Sequence, residues 1–308
     1  MRAFIFPGQG SQSVGMGMAL AAASRAARDV FDEVDEAVGQ NLFRLMREGP
    51  DDELKLTENA QPAIMAHSIA VLRTTGVRLD EVANFVAGHS LGEYSALCAA
   101  GSFDLATTAK LLKLRGQAMQ AAAPVGEGAM AALLGADLAV AQKIADAAAQ
   151  GEVCTVANDN DPSQVVISGH KAAIDRAIEL AKEMGAKRAV PLPVSAPFHC
   201  PLMQPAADAM QDALGYVVLD TPAVALFANV TAQPTNDADQ IRNQLVEQVT
   251  GMVRWRESVA NMAESGVEEF VEVGGKVLGP MVKRIAPDAK VTSVVTMEDI
   301  EALAKEIA

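Results

Sequence analysis

The segment 88–92 reads Gly-His-Ser-Leu-Gly and follows a short apolar run, 82–87. A helix-like run from Leu91 to Ala100 continues the chain. A strand, a G-x-S-x-G segment and a helix in this order are typical of a nucleophile elbow, whose sharp turn holds a serine clear of the sheet. The glycines permit the close backbone approach that such a turn requires. The pattern predicts Ser90 as a nucleophile; the alternative is a glycine-rich turn whose serine caps the helix.

A serine nucleophile needs a base, and the chain contains 4 histidines. His67 falls in a helix that is apolar on most sides, His89 is expected to point away from the serine, and His170 follows a strand. His199 remains, on a loop flanked by prolines and downstream of Ser90, as in the α/β-hydrolase order. Elimination therefore selects His199 as the general base. No Asp or Glu stands out as a third member, which leaves a backbone carbonyl or a side-chain amide to orient the imidazole.

Arg115 lies on the apolar side of a predicted helix, 104–122. Two interpretations fit a cation in such surroundings. Either it is a structural arginine that is paired or extends its charged end to water, or its guanidinium binds a substrate carboxylate through two parallel hydrogen bonds. The neighbours three and four positions away along the helix are Leu111, Leu112, Ala118 and Met119.

The charge and composition exclude several classes of protein. A formal net charge of −14 argues against nucleic-acid binding, because that affinity comes from basic surfaces. An anionic substrate would need a local cationic site. The 3 scattered cysteines are typical of a reducing compartment. No uninterrupted apolar stretch reaches the length of a membrane span, and the N-terminus lacks a signal-peptide pattern, so we expect a cytoplasmic protein without membrane association.

The order of predicted elements indicates an α/β fold with two domains. Residues 1–125 and 195–308 form the predicted large catalytic domain, hydrolase-like with a central, mainly parallel sheet. Residues 126–194 follow the order β-α-β-β-α-β, which is typical of a small ferredoxin-like domain inserted into the larger one. Within it, 158–162 (Asn-Asp-Asn-Asp-Pro) is predicted as a turn between the two middle strands.

The N-terminal strand leads into a glycine loop, which can present backbone amides to an anion or simply turn the chain. Together with four later segments, this region resembles malonyl-CoA:acyl carrier protein transacylases over essentially the whole chain. The resemblance implies a ping-pong transfer of malonate from malonyl-CoA, through a malonyl-serine, to the phosphopantetheine thiol of acyl carrier protein, without a cofactor of the enzyme's own. The five segments are Phe-Ile-Phe-Pro-Gly-Gln-Gly-Ser-Gln (4–12), Gly-His-Ser-Leu-Gly-Glu-Tyr (88–94), Leu-Arg-Gly (114–116), Pro-Phe-His (197–199) and Glu-Val-Gly (272–274).

The resemblance also implies a role for each matching residue. Ser90 is the nucleophile, His199 the base and Arg115 the clamp for the malonate carboxylate. The other implied assignments are the amides of Gln9 and Leu91 as the oxyanion hole, the backbone carbonyl of Gln248 as the group that orients the histidine, Asn158 and Asn160 as cleft-lining residues, and Phe198 as a residue that favours malonyl over methylmalonyl groups.

Two departures from the family pattern affect loops that are expected near the cleft. Met252 stands in a segment where the family usually has a proline, and Gly-Gly-Lys at 274–276 is one residue shorter than usual. A serine esterase or thioesterase would share the elbow and the base, and a non-catalytic acyl-carrier-binding module would share the fold. A freestanding domain favours supply of fatty-acid synthesis, with a polyketide system as the alternative.

An acidic carrier protein would need a local basic patch on this acidic chain. Each candidate pair of cations can equally be an ordinary solvated surface pair. The candidates are Lys187, Arg188, Lys283 and Arg284, with Lys276 as a further member.

Overall fold

The computed structural model describes residues 1–194 and 196–307. Ser195 and Ala308, the predicted ends of the large domain's second part, lie outside the described residues. The strands are β1 (Arg2–Phe6), β2 (Phe85–Gly88), β3 (Gly128–Leu134), β4 (Cys154–Asp161), β5 (Gln164–His170), β6 (Arg188–Pro191), β7 (Ala225–Phe227), β8 (Pro234–Thr235), β9 (Glu269–Val273) and β10 (Lys290–Val294).

Helices surround these strands, and a short 3₁₀ turn (Pro201–Met203) precedes one of them. The helices are α1 (Met18–Ala23), α2 (Arg25–Val38), α3 (Leu42–Glu48), α4 (Asp51–Leu54), α5 (Thr57–Thr75), α6 (Leu79–Val82), α7 (Gly92–Ala99), α8 (Leu105–Ala121), α9 (Leu138–Ala149), α10 (Lys171–Ala181), α11 (Gln204–Gly215), α12 (Ala238–Thr250), α13 (Trp255–Glu264), α14 (Leu278–Ile285) and α15 (Met297–Ile307).

The larger sheet has the strand order β10-β9-β1-β2-β7-β8. Its pairs are parallel except for β7 with β8, which confirms the predicted mainly parallel sheet. Phe6 at the end of β1 pairs with Gly88 at the end of β2. The glycine loop and the serine segment therefore leave the sheet side by side at its carboxyl edge, where sites form in open α/β sheets.

The second sheet is antiparallel, with the order β4-β5-β3-β6. Its chain order β3-α9-β4-β5-α10-β6 is the ferredoxin-like pattern that the sequence predicts. Alternate residues of β3 face different apolar clusters. Ala131 and Leu133 pack in the cluster that contains α9 and α10, whereas Met130 and Ala132 join the core of the larger sheet. The domain boundaries at 126 and 194 stay predictions.

Helices α5 and α8 bring polar side chains into the core beside the sheet. Asp104 caps α8 by accepting a hydrogen bond from the amide of Thr107 at 2.6 Å. Gly116 of α8 crosses α5 so closely that a Cβ there would lie 2.5 Å from the Cα of Glu58. This contact sets the distance between α5 and α8, the helix that carries the preceding residue, Arg115.

The turn predicted at 158–162 is wrong for its first four residues, because β4 continues to Asp161 and the chain turns at 162–163. The amide of Asp159 donates to the carbonyl of Val253 at 3.0 Å, which extends the strand. The buried carboxylates of Asp159 and Asp161 each form a 2.8 Å ion pair, with Arg256 and Arg284 respectively. Since buried carboxylates need partners, these pairs hold the end of β4 against helices α13 and α14.

Candidate active site

Ser90 sits in a strained turn between β2 and α7. Its φ is 54°, in the left-handed region that costs a non-glycine residue about 1–3 kcal/mol. A Cβ at Gly88 would lie 1.9 Å from the carbonyl carbon of Gly92, and a Cβ at Gly92 would lie 2.3 Å from the oxygen of Phe6. Both glycines are therefore required by close backbone contacts, as the elbow pattern predicts.

The hydroxyl of Ser90 lies 2.8 Å from Nε2 of His199. Nδ1 of the same ring lies 2.8 Å from the backbone carbonyl of Gln248. Because a carbonyl only accepts, Nδ1 carries the proton and Nε2 is free to accept the serine proton. Burial, followed by the positive charge of Arg115, lowers the pKa of His199 to about 3, so the imidazole is neutral at pH 7.

Arg115 is 1% exposed and reaches the serine from α8. Its Nη1 donates to Oε1 of Gln61 at 2.8 Å, and its Nη2 donates to Oε1 of Gln248 at 2.8 Å. The same Nη2 lies 3.3 Å from the Ser90 hydroxyl. Arg115 thus donates to three neutral side chains and has no carboxylate within ion-pair distance among the described residues, so its charge is not already paired with an anion.

Gln9 and Leu91 carry the two backbone amides that are predicted to form the oxyanion hole. Gln9 and Leu91 both line the cleft, one from the glycine loop and one from the start of α7. Neither amide donates a hydrogen bond to another group in residues 1–194 and 196–307. Gly8 lets the loop approach the elbow, since a Cβ there would lie 2.7 Å from the oxygen of His89. The role of the two amides as an oxyanion hole stays a prediction; both donors are free of other hydrogen bonds in the described residues, as that role requires.

The cleft above the serine has a volume of about 380 Å³. Asn158 and Phe198 line it, as the sequence predicts, together with the chain that follows β6 (192–194). Asn160 does not line it; its Oδ1 lies 2.8 Å from Nε2 of His89. That bond turns His89 toward β4, so its ring nitrogen is engaged there and not with the serine.

His67 and His170 both form hydrogen bonds to backbone groups and not to Ser90. Nδ1 of His67 lies 3.1 Å from the carbonyl of Gly274, and burial lowers the pKa of this ring. Nδ1 of His170 accepts from the amide of Val153 at 2.9 Å. His170 also precedes α10 as its N-cap residue, although its side chain makes no capping bond.

Sequence reasoning missed three side chains around this site: Gln61, Glu93 and Asn229. Oδ1 of Asn229 accepts from the amide of Ser90 at 2.8 Å, and its Nδ2 donates to the carbonyl of Gly88 at 2.7 Å. Asn229 therefore holds the elbow backbone. Its position just after β7, at the carboxyl edge of the sheet, is the feature of the sequence that could have indicated a role in the site.

The two departures from the family pattern lie away from the cleft lining. Met252 is partly buried and packs against the apolar cluster of the small sheet. Residues 274–276 line a separate cavity of about 450 Å³. Neither departure changes a side chain that faces Ser90.

The candidate docking residues differ in what they contact. Lys187 and Arg188 are exposed, whereas Nη2 of Arg284 binds Asp161 at 2.8 Å. Nζ of Lys283 donates to the carbonyl of Ala289 at 2.6 Å. Lys276 lies 3.8 Å from Asp299.

The described part of the chain has neither a membrane-spanning helix nor a metal-binding cluster. None of its helices is both long and apolar enough to cross a bilayer. Its histidine, cysteine and acidic side chains form no group of three or more that could hold a metal ion.

Ser90 lies in a strained elbow at the carboxyl edge of a parallel sheet and is hydrogen-bonded to a neutral imidazole. This arrangement defines an enzyme that acts through an acyl-serine intermediate. Residues 3–281 match the family model described as the acyl transferase domain, so the chain belongs to that family. It is 46% identical over 284 residues to a malonyl CoA-acyl carrier protein transacylase of Escherichia coli (strain K12), covering 92% of each chain.

Solved structures give the same picture. An acyl-carrier-protein-S-malonyltransferase from Bartonella henselae is 51% identical, with a TM-score of 0.97 and 99% of both chains covered. A malonyl-transacylase solved in complex with its type II PKS acyl-carrier protein is 38% identical, with a TM-score of 0.96 and 99% of both chains covered.

Proposed function

We propose that this chain transfers malonate from malonyl-CoA to the phosphopantetheine thiol of an acyl carrier protein, and thereby supplies fatty-acid synthesis. The proposal rests on one observation: the same serine hydroxyl contacts both a base and a cation. Ser90 Oγ lies 2.8 Å from the base His199 and 3.3 Å from the cation Arg115. A hydrolase of neutral esters would need the first contact but not the second, whereas a guanidinium beside the serine suits an acyl group that carries a carboxylate.

The first half-reaction forms the acyl-enzyme. Nε2 of His199 takes the proton from Ser90 as Oγ attacks the thioester carbonyl, and the amides of Gln9 and Leu91 bind the resulting oxyanion. The carbon–sulfur bond then breaks, and the CoA thiol leaves with the proton from Nε2. The product is a malonyl ester on Ser90.

The second half-reaction runs the same steps with the carrier thiol. The thiol gives its proton to Nε2, its sulfur attacks the ester carbonyl, and the carbon–Oγ bond breaks as Ser90 recovers a proton. Throughout, Arg115 holds the malonate carboxylate, which keeps the ester carbonyl beside the two amides. Phe198 lines the same space, and its ring would crowd an α-methyl group, an effect of about 1–3 kcal/mol.

Steady-state kinetics test the mechanism. With malonyl-CoA and carrier protein varied together, double-reciprocal plots should give parallel lines, because CoA leaves before the carrier thiol reacts. Malonate release without carrier protein should be much slower than transfer. Intersecting lines would contradict the acyl-enzyme route, and hydrolysis as fast as transfer would instead identify a thioesterase.

We infer that the carrier protein docks beside Lys187 and Arg188. Both are exposed at the start of β6, and the chain leaving β6 lines the cleft. Arg284 and Lys283 support docking less well, because the first is paired with a buried aspartate and the second is bound to backbone carbonyls.

Reversing both charges, Lys187→Glu with Arg188→Glu, should raise the KM for carrier protein about 3- to 10-fold. Each exposed charge contributes about 0.2–1 kcal/mol to such an encounter. The KM for malonyl-CoA and the kcat should change little. The matched control reverses Lys143 and Lys305, which are also exposed but lie on α9 and α15. An equal rise in the control would show a general charge effect and not a docking site.

A further inference from the structure

A buried carboxylate lies three residues after the serine. Glu93, in the first turn of α7, is 1% exposed. Its Oε2 accepts from Nε2 of Gln248 at 2.7 Å and from the amide of Asn229 at 3.2 Å. Its Oε1 has no partner in the described part of the chain. Burying a carboxylate with one oxygen unpaired is costly, so its retention beside the site calls for a reason.

The side-chain amide of Gln248 bridges Glu93 and Arg115. Its Oε1 accepts from the arginine at 2.8 Å while its Nε2 donates to the glutamate at 2.7 Å. A guanidinium only donates and a carboxylate only accepts, so the two groups together allow the amide one orientation. Nε2 also donates to the backbone carbonyl of Ser90 at 3.0 Å. Without Glu93, Nε2 would lose its shortest hydrogen bond, and the Gln248 side chain would be held less firmly between Arg115 and the serine.

When ionised, Glu93 also supplies a compensating charge to the arginine; burial raises the pKa of this carboxyl to about 7, so both of its forms are present at neutral pH. Arg115 makes no direct ion pair among the described residues, and its Nε is buried without a partner. Burial lowers the pKa of Arg115, and the neighbouring Tyr94 and then Glu93 act in the opposite direction. The side-chain amide of Gln248 lies between the Glu93 carboxylate and Arg115. The carboxylate therefore stabilises the cation without occupying the donors that an anionic substrate needs.

We propose that Glu93 is a positioning residue for the acyl carboxylate: through Gln248 it holds the Arg115 guanidinium beside Ser90. This inference rests on the proposed function, in which Arg115 binds the malonate carboxylate. Glu93 touches neither the substrate nor the reacting atoms. It determines how tightly a carboxylate-bearing donor binds, and it leaves the chemistry at the serine to His199.

Two substitutions separate this role from a general structural one. Glu93→Gln keeps an acceptor oxygen for Gln248 but removes the charge, so it should raise the KM for malonyl-CoA less than Glu93→Leu does and leave acetyl transfer within about threefold of the parent protein. Glu93→Leu removes the acceptor and should raise the KM for malonyl-CoA about 10- to 100-fold, the effect of losing a charge-assisted hydrogen bond. With acetyl-CoA, which has no carboxylate to place, kcat/KM should change less than about threefold.

Gln248→Met is the second variant, in case Glu93→Leu does not fold. It keeps the backbone carbonyl that holds His199 and should show the same malonyl-selective loss. Equal losses for malonyl and acetyl donors in either variant would overturn the positioning role. Arg115→Ala, measured in parallel, separates the two proposals. If Arg115→Ala lowers malonyl transfer selectively and Glu93→Leu does not, only the Glu93 proposal fails; if Arg115→Ala is not selective, the clamp itself fails.

Discussion

Replacement of His199 by alanine should lower malonyl transfer on the order of 10⁴- to 10⁶-fold, as removal of the nucleophile or base does in other serine enzymes. The reason is the 2.8 Å contact between its Nε2 and the Ser90 hydroxyl, which is the only route for the serine proton within the described site. With His199 absent, Ser90 remains a weakly nucleophilic alcohol. The measurement is kcat/KM for malonyl-CoA with saturating carrier protein.

The serine and the histidine act as one unit, so their effects should not add. Ser90→Ala combined with His199→Ala should be no slower than either single variant. His89→Ala is the matched control, because this histidine adjoins the serine but bonds to Asn160 at 2.8 Å. A loss with His89→Ala as large as that with His199→Ala would contradict the assignment of the base.

Replacement of Arg115 by alanine should reduce malonyl transfer on the order of 10²- to 10³-fold and acetyl transfer less than about tenfold. Two charge-assisted hydrogen bonds to the malonate carboxylate would be lost, at about 1.5–3 kcal/mol each before non-additivity. An acetyl group offers no carboxylate, so it loses only the packing. The measurement is the ratio of kcat/KM values for malonyl-CoA and acetyl-CoA.

Arg115→Lys distinguishes the charge from the geometry of the guanidinium. Lysine keeps the positive charge but lacks the planar fork that holds Gln61, Gln248 and a carboxylate together. It should recover only part of the malonyl selectivity. An unchanged donor ratio in the alanine variant would remove Arg115 from substrate binding and leave it a structural role.

The local parts of the site were predictable from the sequence. The elbow depends on glycines within two residues of Ser90, and their close contacts follow from the turn itself. His199 followed from elimination among 4 histidines, and the position of Arg115 from helical spacing. Each of these inferences uses residues that are near in sequence or few in number.

The hydrogen bonds that support the site could not be predicted in the same way. Asn229 reaches Ser90 across 139 positions and Gln248 reaches Glu93 across 155, so only the tertiary fold brings them together. The same limit explains the misplaced turn. Residues 158–161 of the predicted turn are strand, and Asp159 and Asp161 are paired there with Arg256 and Arg284, which lie far away in the sequence. The docking role of Arg284 stays a prediction.

Transfer of a labelled malonyl group tests the central claim most directly. The protein is mixed with radiolabelled malonyl-CoA, freed of excess donor and digested, and the labelled peptide is sequenced. We expect about one label per chain as an ester on Ser90, stable until added carrier protein removes it to its thiol. Absence of label from Ser90 in a protein that still transfers malonate, or rapid release as free malonate before carrier protein is added, would contradict the account.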